Sequence, residues 1–579
     1  MDANIALVRV NRFLRHRWGF MEKLFLTHVS DPRDNRGKSR SYISLLHIIF
    51  VTLVSGGTSP RDAESLSEKL TIPDPRRPKQ RSGRIPDTTL YEFSAKLRWR
   101  ELVPVLVGQL RGMCRRQELA PHGLPCGVLT VDGKSLGKLT HSAEGKALKQ
   151  SKDHPEPFYH LRVLRAVLSS SAVKVCAGQE PVGATEGEIT ALPRFVRWLS
   201  ETYGRYGMFE IFDLDAGFLS REIFHLIDQV LNYGVIIALK RNVPDLYREA
   251  SRVLLKKWKT QPAEVVQDWE QYQGKELRRS LFRTDQLDNF LDWRNVRQGL
   301  LVVQETREKV ALTEREYELE LEKARRREKR KRPRLVNPRL KLPVLKAGQS
   351  PTEIPVLNEK LNAVLGKIKG KFSKGIETQD PTLDSSKISE SGTIPPRAKK
   401  SKKRVPKDVS VQALANEIES CRLSDDGYLI TVELRFFITN LNWGRLTPAQ
   451  ILLVVRNHWA VENDCFHSLD VQWREDAPSW STAGEAQLSI GMMRLLAYNY
   501  AQQLRQKHVR VALPKKRILL SRPWKKLFDI VTDALTSLYP KPSMTVPVPP
   551  PIVPANFRSQ RGARGDQNSP FLMQKGGFG

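Results

Sequence analysis

The sequence predicts an α/β protein with a mixed sheet flanked by helices, a helical N-terminal domain and a long insertion before its last helices. Three observations predict it. Residues 1–122 carry mostly helical periodicity; from 127 short apolar strands alternate with amphipathic helices; and between 261 and 425 that alternation breaks off before it resumes. At 579 residues the chain is long enough for two or three domains and a sizeable core.

In the N-terminal domain an apolar segment at 41–54 ends at Gly56-Gly57. Ser59, followed by Pro60, then caps a helix to about Leu70. Asp87 starts another helix, through TTLYEFSAKLRWRELVPVLVGQLRGMCRRQ. The Pro-rich basic loop between them, TIPDPRRPKQRSGRIP, suits contact with a DNA backbone and equally a plain helical packing domain with a solvated loop. From 123 to 260 the plan is strand, strand, strand, helix, strand, helix, strand, helix. GVLTVDGK (127–134) is a buried strand ending in Asp-Gly, and HLRVLRAVLSS and AVKVCAG form a hairpin. EITALPRFVRWLSETY (188–203) is an amphipathic helix. MFEIFDLDAGF (208–218) is a strand with two aspartates, and VIIALK (235–240) is one more strand before a helix from Pro244.

The insertion, 261–425, begins partly β and turns strongly basic after 313. Its stretch 335–408, rich in Lys, Pro, Ser and Gly, reads as disordered. Residues 426–510 resume the pattern with a long strand or hairpin (427–441), the segment LTPAQILLVVRNHWAVENDCFHSLD (446–470) and a last long helix. A C-terminal extension with a Pro-, Arg- and Gly-rich tail covers 511–579. The 446–470 segment reads as one helix. Thr447 and Gln450 form a capping box around Pro448, and Ile451, Val455, His458, Glu462, Phe466 and Leu469 share one face. Glu462 thus falls in the middle of the expected buried stripe, where an unpaired carboxylate is costly.

The balance of 95 Lys+Arg against 63 Asp+Glu, a formal charge of +32, favours a polyanionic partner. Five scattered cysteines without a C-x-x-C pair argue against a disulfide frame or zinc site and for a reducing compartment. The most apolar stretch, 42–57, is too short and interrupted to span a bilayer, and no signal-peptide plan opens the chain. The expectation is an intracellular protein with no membrane partner.

Two aspartates stand at strand ends. Asp132 follows GVLTV, and Asp215 follows FEIFDL; such ends are where α/β sheets build sites. Alternation puts Asp213 on the same face as Asp215, so Asp213 is its rival. Alone, each strand-end aspartate reads as a turn residue, and Glu462 alone as the partner of a Lys or Arg. Three carboxylates brought together by two strand ends and one helix would repel unless cations sat between them. Oxygen ligands with open positions suit Mg2+ or Mn2+, two of which can support an in-line displacement at phosphorus.

RNHWAVENDCFHSLDVQWRED (456–476) resembles the R-x-H-W-x-I-E-N … H-x-x-L-D-V-x-F-x-E-D signature of DDE-type insertion-sequence transposases, in the branch containing the H-repeat-associated proteins. TVDGKSLGK (130–138) is similar to that family's first-aspartate motif, with Ser135 in place of the usual threonine. LDAGFLSREIFHLIDQVLNYGVIIALKRNVPDL is similar to the second, and GATEGEITALP to the segment between. DPRDNRGKSRSYISLLHIIFVTLVSGGTS resembles the family's associated N-terminal domain. The resemblance implies a ribonuclease H-like fold with Asp132, Asp215 and Glu462 as a triad holding two Mg2+ or Mn2+ ions, and so favours Asp215 over Asp213. It implies cleavage at the element's terminal inverted repeats and strand transfer into target DNA by a dimer on paired ends, in a bacterial cytoplasm at the nucleoid. Lys134, Lys240, Asn242, Arg456, His458 and Trp459 are the candidates for DNA contact, although for His458 and Trp459 a packed core residue is the commoner reading, and Arg456 reads equally as a solvated arginine. The stretch 313–408 is longer and more basic than the family leads one to expect.

Overall fold

The structure, a computed structural model, describes residues 3–34, 40–70, 83–139, 159–309, 428–441, 444–508 and 523–539 with short gaps inside these ranges, and brief strand pieces elsewhere. The basic stretch 313–408 and the proline-rich tail lie outside the described residues, whereas the loop at 71–82 carries a short antiparallel pair, Pro73–Asp74 and Arg77–Arg81.

Five N-terminal helices come first: α1 (Ala3–His28), α2 (Tyr42–Val54), α3 (Pro60–Lys69), α4 (Asp87–Lys96) and α5 (Trp99–Arg115). Ser59 caps α3 in a full capping box with Asp62, and Pro60 takes the first helical position. The single helix expected from Asp87 is two, parted at Leu97 and Arg98, whose backbone turns extended.

The sheet follows. Its strands are β1 (Val128–Leu139), β2 (Tyr159–Leu168), β3 (Val175–Val182), β4 (Ile211–Leu214), β5 (Gly234–Leu239), β6 (Val265–Tyr272), β7 (Lys275–Thr284), β8 (Gln298–Lys309) and β9 (Tyr428–Thr439). They lie in the order β3-β2-β1-β4-β5-β9-β8-β7-β6. β1, β4 and β5 are parallel and every other pairing among these is antiparallel. The first five strands, antiparallel hairpins at one edge and parallel strands in the middle, are compatible with a ribonuclease H-like plan. The partly β stretch after 260 extends the sheet as β6–β8, and β9 joins it after the long excursion. Lys309 faces Tyr428 across the ladder, so the excursion leaves and returns at one point.

Alternation sorts the strands into two faces. Phe212, Val235, Ile237, Leu301, Val303, Phe436 and Ile438 enter the larger core, which continues without a break into the N-terminal helices. Val128, Ile211, Ile236, Leu281, Leu300, Val302 and Phe437 enter a smaller core under α9 (Pro448–Asn457), against Ile451, Val454 and Val455. Helices α6 (Glu188–Tyr203), α7 (Arg221–His225) and α8 (Pro244–Thr260) lie between strands in the chain; α10 (His467–Trp473), α11 (Gly484–Gln503) and α12 (Trp524–Leu538) complete it. α11 packs on β3 as well as on α5 and α2, and α12, from the C-terminal extension, packs on α1. No described helix is long and apolar enough to cross a membrane.

Candidate active site

The site begins with register. Parallel pairing of β1 and β4 runs to Val131 opposite Leu214, so Asp132 and Asp215 are the next residues on neighbouring strands. Asp132 shares its face with Val128 and Thr130, the face that α9 covers. Its carboxylate accepts from the Gly133 N–H at 2.7 Å. A Cβ at Gly133 would lie 2.4 Å from Glu188 Oε2 at the start of α6, so a larger residue there would displace the Glu188 side chain.

Asp213 and Asp215, which periodicity cannot separate, have different surroundings. Asp213, inside β4 and 1% exposed, accepts from Thr130 Oγ1 at 3.1 Å and lies 3.1 Å from His458 Nδ1. Asp215 lies past the strand end, half-buried, and caps the short turn Ala216–Phe218 through the Gly217 N–H at 3.3 Å. Lys240, the residue after β5, reaches Asp215 Oδ1 at 3.2 Å, and Asn242 Nδ2 donates to Ala216 O at 2.6 Å. Both side chains brace the Asp215 turn; neither stands free as the phosphate contact expected of it.

The 446–470 segment corrects the sequence reading. The Thr447–Gln450 capping box forms as expected, but α9 ends at Asn457 and residues Val461–Phe466 form a π-helical turn before α10. The wider turn shifts the phase of the buried face, which passes to Val461, Cys465 and Phe466. Glu462 is therefore exposed and not part of the buried stripe.

Electrostatics tie these groups together. Burial pushes the Asp132 carboxyl up; the Gly133 N–H and the His458 charge pull it back, and the like charges of Asp215 and Glu462 push again, to about 6. Burial by itself would lower His458, but Asp213 beside it, with Asp132 and Asp215 beyond, outweighs burial and raises it to about 9. Burial also works against the Asp215 charge, yet the Ala216 N–H, Lys240 and the Gly217 N–H hold that carboxyl below its usual range. The result is an acidic cluster with a protonated histidine inside it. Among the described residues, no group of three or more His, Cys, Asp or Glu side chains is spaced to hold a metal ion.

Three further expected DNA contacts are engaged within the chain. Lys134 is 8% exposed, ion-paired with Asp470 on α10 and 5.3 Å from the Phe466 ring centroid. Arg456 donates to both carboxylate oxygens of Glu270 on β6, at 2.7 and 2.6 Å. Trp459 carries the Arg435 guanidinium 3.6 Å from its ring centroid.

Sequence reasoning missed Arg435 and the pair Arg165–Glu475. Arg165 lies opposite Asp132 in the β1–β2 ladder, fully buried, and donates to Glu475 Oε1 at 2.7 Å and Gln179 Oε1 at 3.2 Å. A charged residue inside the apolar run HLRVLRAVLSS was the available signal.

Fold and site together define an α/β protein that gathers acidic side chains where its central parallel strands end. No protein-family model matches the chain, and no curated protein matches its sequence. Among solved structures it is similar to the piggyBac transposase of a synaptic complex with hairpin DNA. That likeness has a TM-score of 0.34 and 10% identity, and covers 94% of this chain and 83% of the other. It is too loose to bear on fold or function.

Proposed function

We propose that the protein is a DNA transposase of the DDE type, cutting at the ends of an insertion sequence and joining them to target DNA. The observation that carries the reading is the register of β1 and β4, which makes Asp132 and Asp215 the next residues on neighbouring parallel strands. The charges of Asp215 and Glu462, 83 (215 − 132) and 330 (462 − 132) residues away, both raise the Asp132 carboxyl. The motif resemblance supplies the same three residues in the same order, the strand order is compatible with the ribonuclease H-like plan, and the +32 charge suits a polyanion.

In this reading Asp132, Asp215 and Glu462 would hold divalent cations, Mg2+ or Mn2+. The donor chemistry fits: hard oxygens, mutually repelling, one with its carboxyl pushed up to about 6 chiefly by burial. The spacing does not close into a cage as it stands, and the exposed Lys240 amine occupies one oxygen of Asp215. Bound there, such ions would activate the attacking oxygen and stabilise the leaving one. The chain's own groups do the rest. His458 pairs with buried Asp213 behind the cluster, and the Asp215 turn, braced by Asn242, sets where that carboxylate stands. The substrate is double-stranded DNA bearing the terminal repeats, and a dimer on paired ends is the assembly the reading calls for.

The Lys240–Asp215 pair favours a second reading, a transposase-derived DNA-binding protein without catalysis. A repair nuclease using the same cluster would differ in cutting DNA that lacks the repeats. The test is cleavage of a supercoiled plasmid carrying the gene's own flanking DNA, in Mg2+ or Mn2+ and in chelator. Wild type is expected to cut at the flanks. Glu462→Gln, Asp132→Ala and Asp215→Ala are expected to lose cleavage by at least about 100-fold, with Glu462→Gln binding DNA nearly as well as wild type. Equal binding by all with no cutting by any would favour the binder; loss of binding in Glu462→Gln would make Glu462 structural.

A further inference from the structure

We propose that Arg435, on strand β9 of the sheet extension, is a phosphate-binding residue that seats the DNA backbone beside the acidic cluster, with Trp459 as its platform. The inference rests on the nucleic-acid reading above and adds a residue from the extension to its site.

The placement follows from alternation. Arg435 shares its face with Phe437, and Arg279 on β7 shares its face with Leu281; both of those apolar residues enter the core under α9. Asp132 and Asp213 lie on that same face further along the sheet. Near the C-terminal end of α9, Trp459 lies against Arg435, and Arg456 and Arg279 share Glu270. Glu462 is close enough to act on the Arg435 charge, and Arg456 and Arg435 both act on Arg279.

The arginines differ in how firmly they are held. Arg456 is gripped by both oxygens of Glu270 at 2.6 and 2.7 Å. Arg279, 8% exposed, donates to Gln304 at 3.0 Å and to the same Glu270 at 3.4 Å. Arg435 donates only its Nη2 to Glu433, at 2.8 Å, and the Glu433 side chain is 50% exposed. Its Nη1, though buried, has no hydrogen-bond partner among the described residues. Three guanidinium groups thus share two carboxylates, and Arg435, the one with an unused donor and a solvated competitor, lies against Trp459, three residues before Glu462. With its guanidinium carbon 3.6 Å from the Trp459 ring centroid, Arg435 can exchange the half-exposed Glu433 for a phosphate at its Nη2, and a small shift of the group would open Nη1 to a second oxygen. The chemistry selects a phosphodiester, which offers the paired oxygens and single charge such a fork takes.

The test is equilibrium binding of the full chain, in chelator, to a duplex carrying the gene's flanking DNA, from 50 to 200 mM salt (roughly the range over which phosphate contacts separate). Each phosphate neutralised adds about 0.9 to the slope of log K against log salt. Arg435→Ala should weaken binding and flatten that slope by about one. Arg435→Lys should keep the slope while losing affinity, and Glu433→Gln should tighten binding by freeing the arginine. Arg435→Met keeps an apolar stem over Trp459 and serves if alanine unsettles the fold in thermal unfolding. An unchanged slope in both the Ala and Met variants of a salt-dependent wild type overturns Arg435 alone. A wild type indifferent to salt overturns the nucleic-acid reading and this inference with it.

Discussion

His458 brings a positive charge into a cluster of carboxylates, and the sign of its effect on stability is defined. Its folded pKa of about 9 lies above the ordinary 6.5, so its contribution is complete below pH 6.5 and lost as pH rises through 9. In chelator, stability should fall by on the order of 3 kcal/mol between those values, and His458→Gln should flatten the curve; denaturant midpoints at stepped pH measure it. Asp132 works in a lower window: raised from 3.8 to about 6, its ionisation costs stability as pH climbs through that interval. Among single residues, Asp132 and Asp215 were legible because an apolar run ending in an acid marks a strand end. Lys134 was not, because which side of a strand meets α10 is written in no local pattern.

At the scale of elements, the segment from α9 to Glu475 crosses the sheet and is tied to three neighbouring strands. His458 meets Asp213 on β4, Asp470 meets Lys134 on β1, and Glu475 meets Arg165 on β2. Glu462 rides between the first two ties, so their spacing sets where its carboxylate stands. Breaking the most buried tie leaves a charge without a partner, whereas replacing both members need not. Glu475→Gln should therefore destabilise the protein by about 3–5 kcal/mol, while Arg165→Met with Glu475→Leu should come close to wild type in urea unfolding. The cap of α9 was legible, since Thr-Pro-x-Gln carries its own hydrogen bonds. The π-helical turn was not, because a 3.6-residue period assumes an unbroken helix, and this one widens at Val461–Phe466.

Over the whole molecule, one apolar core joins the N-terminal helices to the sheet. Trp473 Nε1 donates to Leu53 O at 2.6 Å, Gln109 Nε2 to Leu496 O at 3.1 Å, and Ser489 Oγ to Leu97 O at 2.7 Å. The excursion between β8 and β9 is different, because its ends already face each other. Replacing 312–425 with a turn of about six residues should leave the fold intact and raise stability by about 2–3 kcal/mol through the shorter loop. A cooperative loss of structure in circular dichroism would refute that.

The sequence by itself determined the alternation of strands and helices, the two strand-end aspartates, the capped helix before Glu462 and the positive charge. Each is local, resting on the period of a backbone, the hydrogen bonds of a cap or a count of ionisable groups. Only the tertiary structure decided that Asp213 is internal, that Glu462 is exposed, that Lys134, Arg456 and Lys240 are held by carboxylates, and that Arg435 stands beside the cluster. Those outcomes depend on pairings between residues up to hundreds of positions apart. Burial makes such pairings strong, and no stretch of sequence shows which charge will be buried against which.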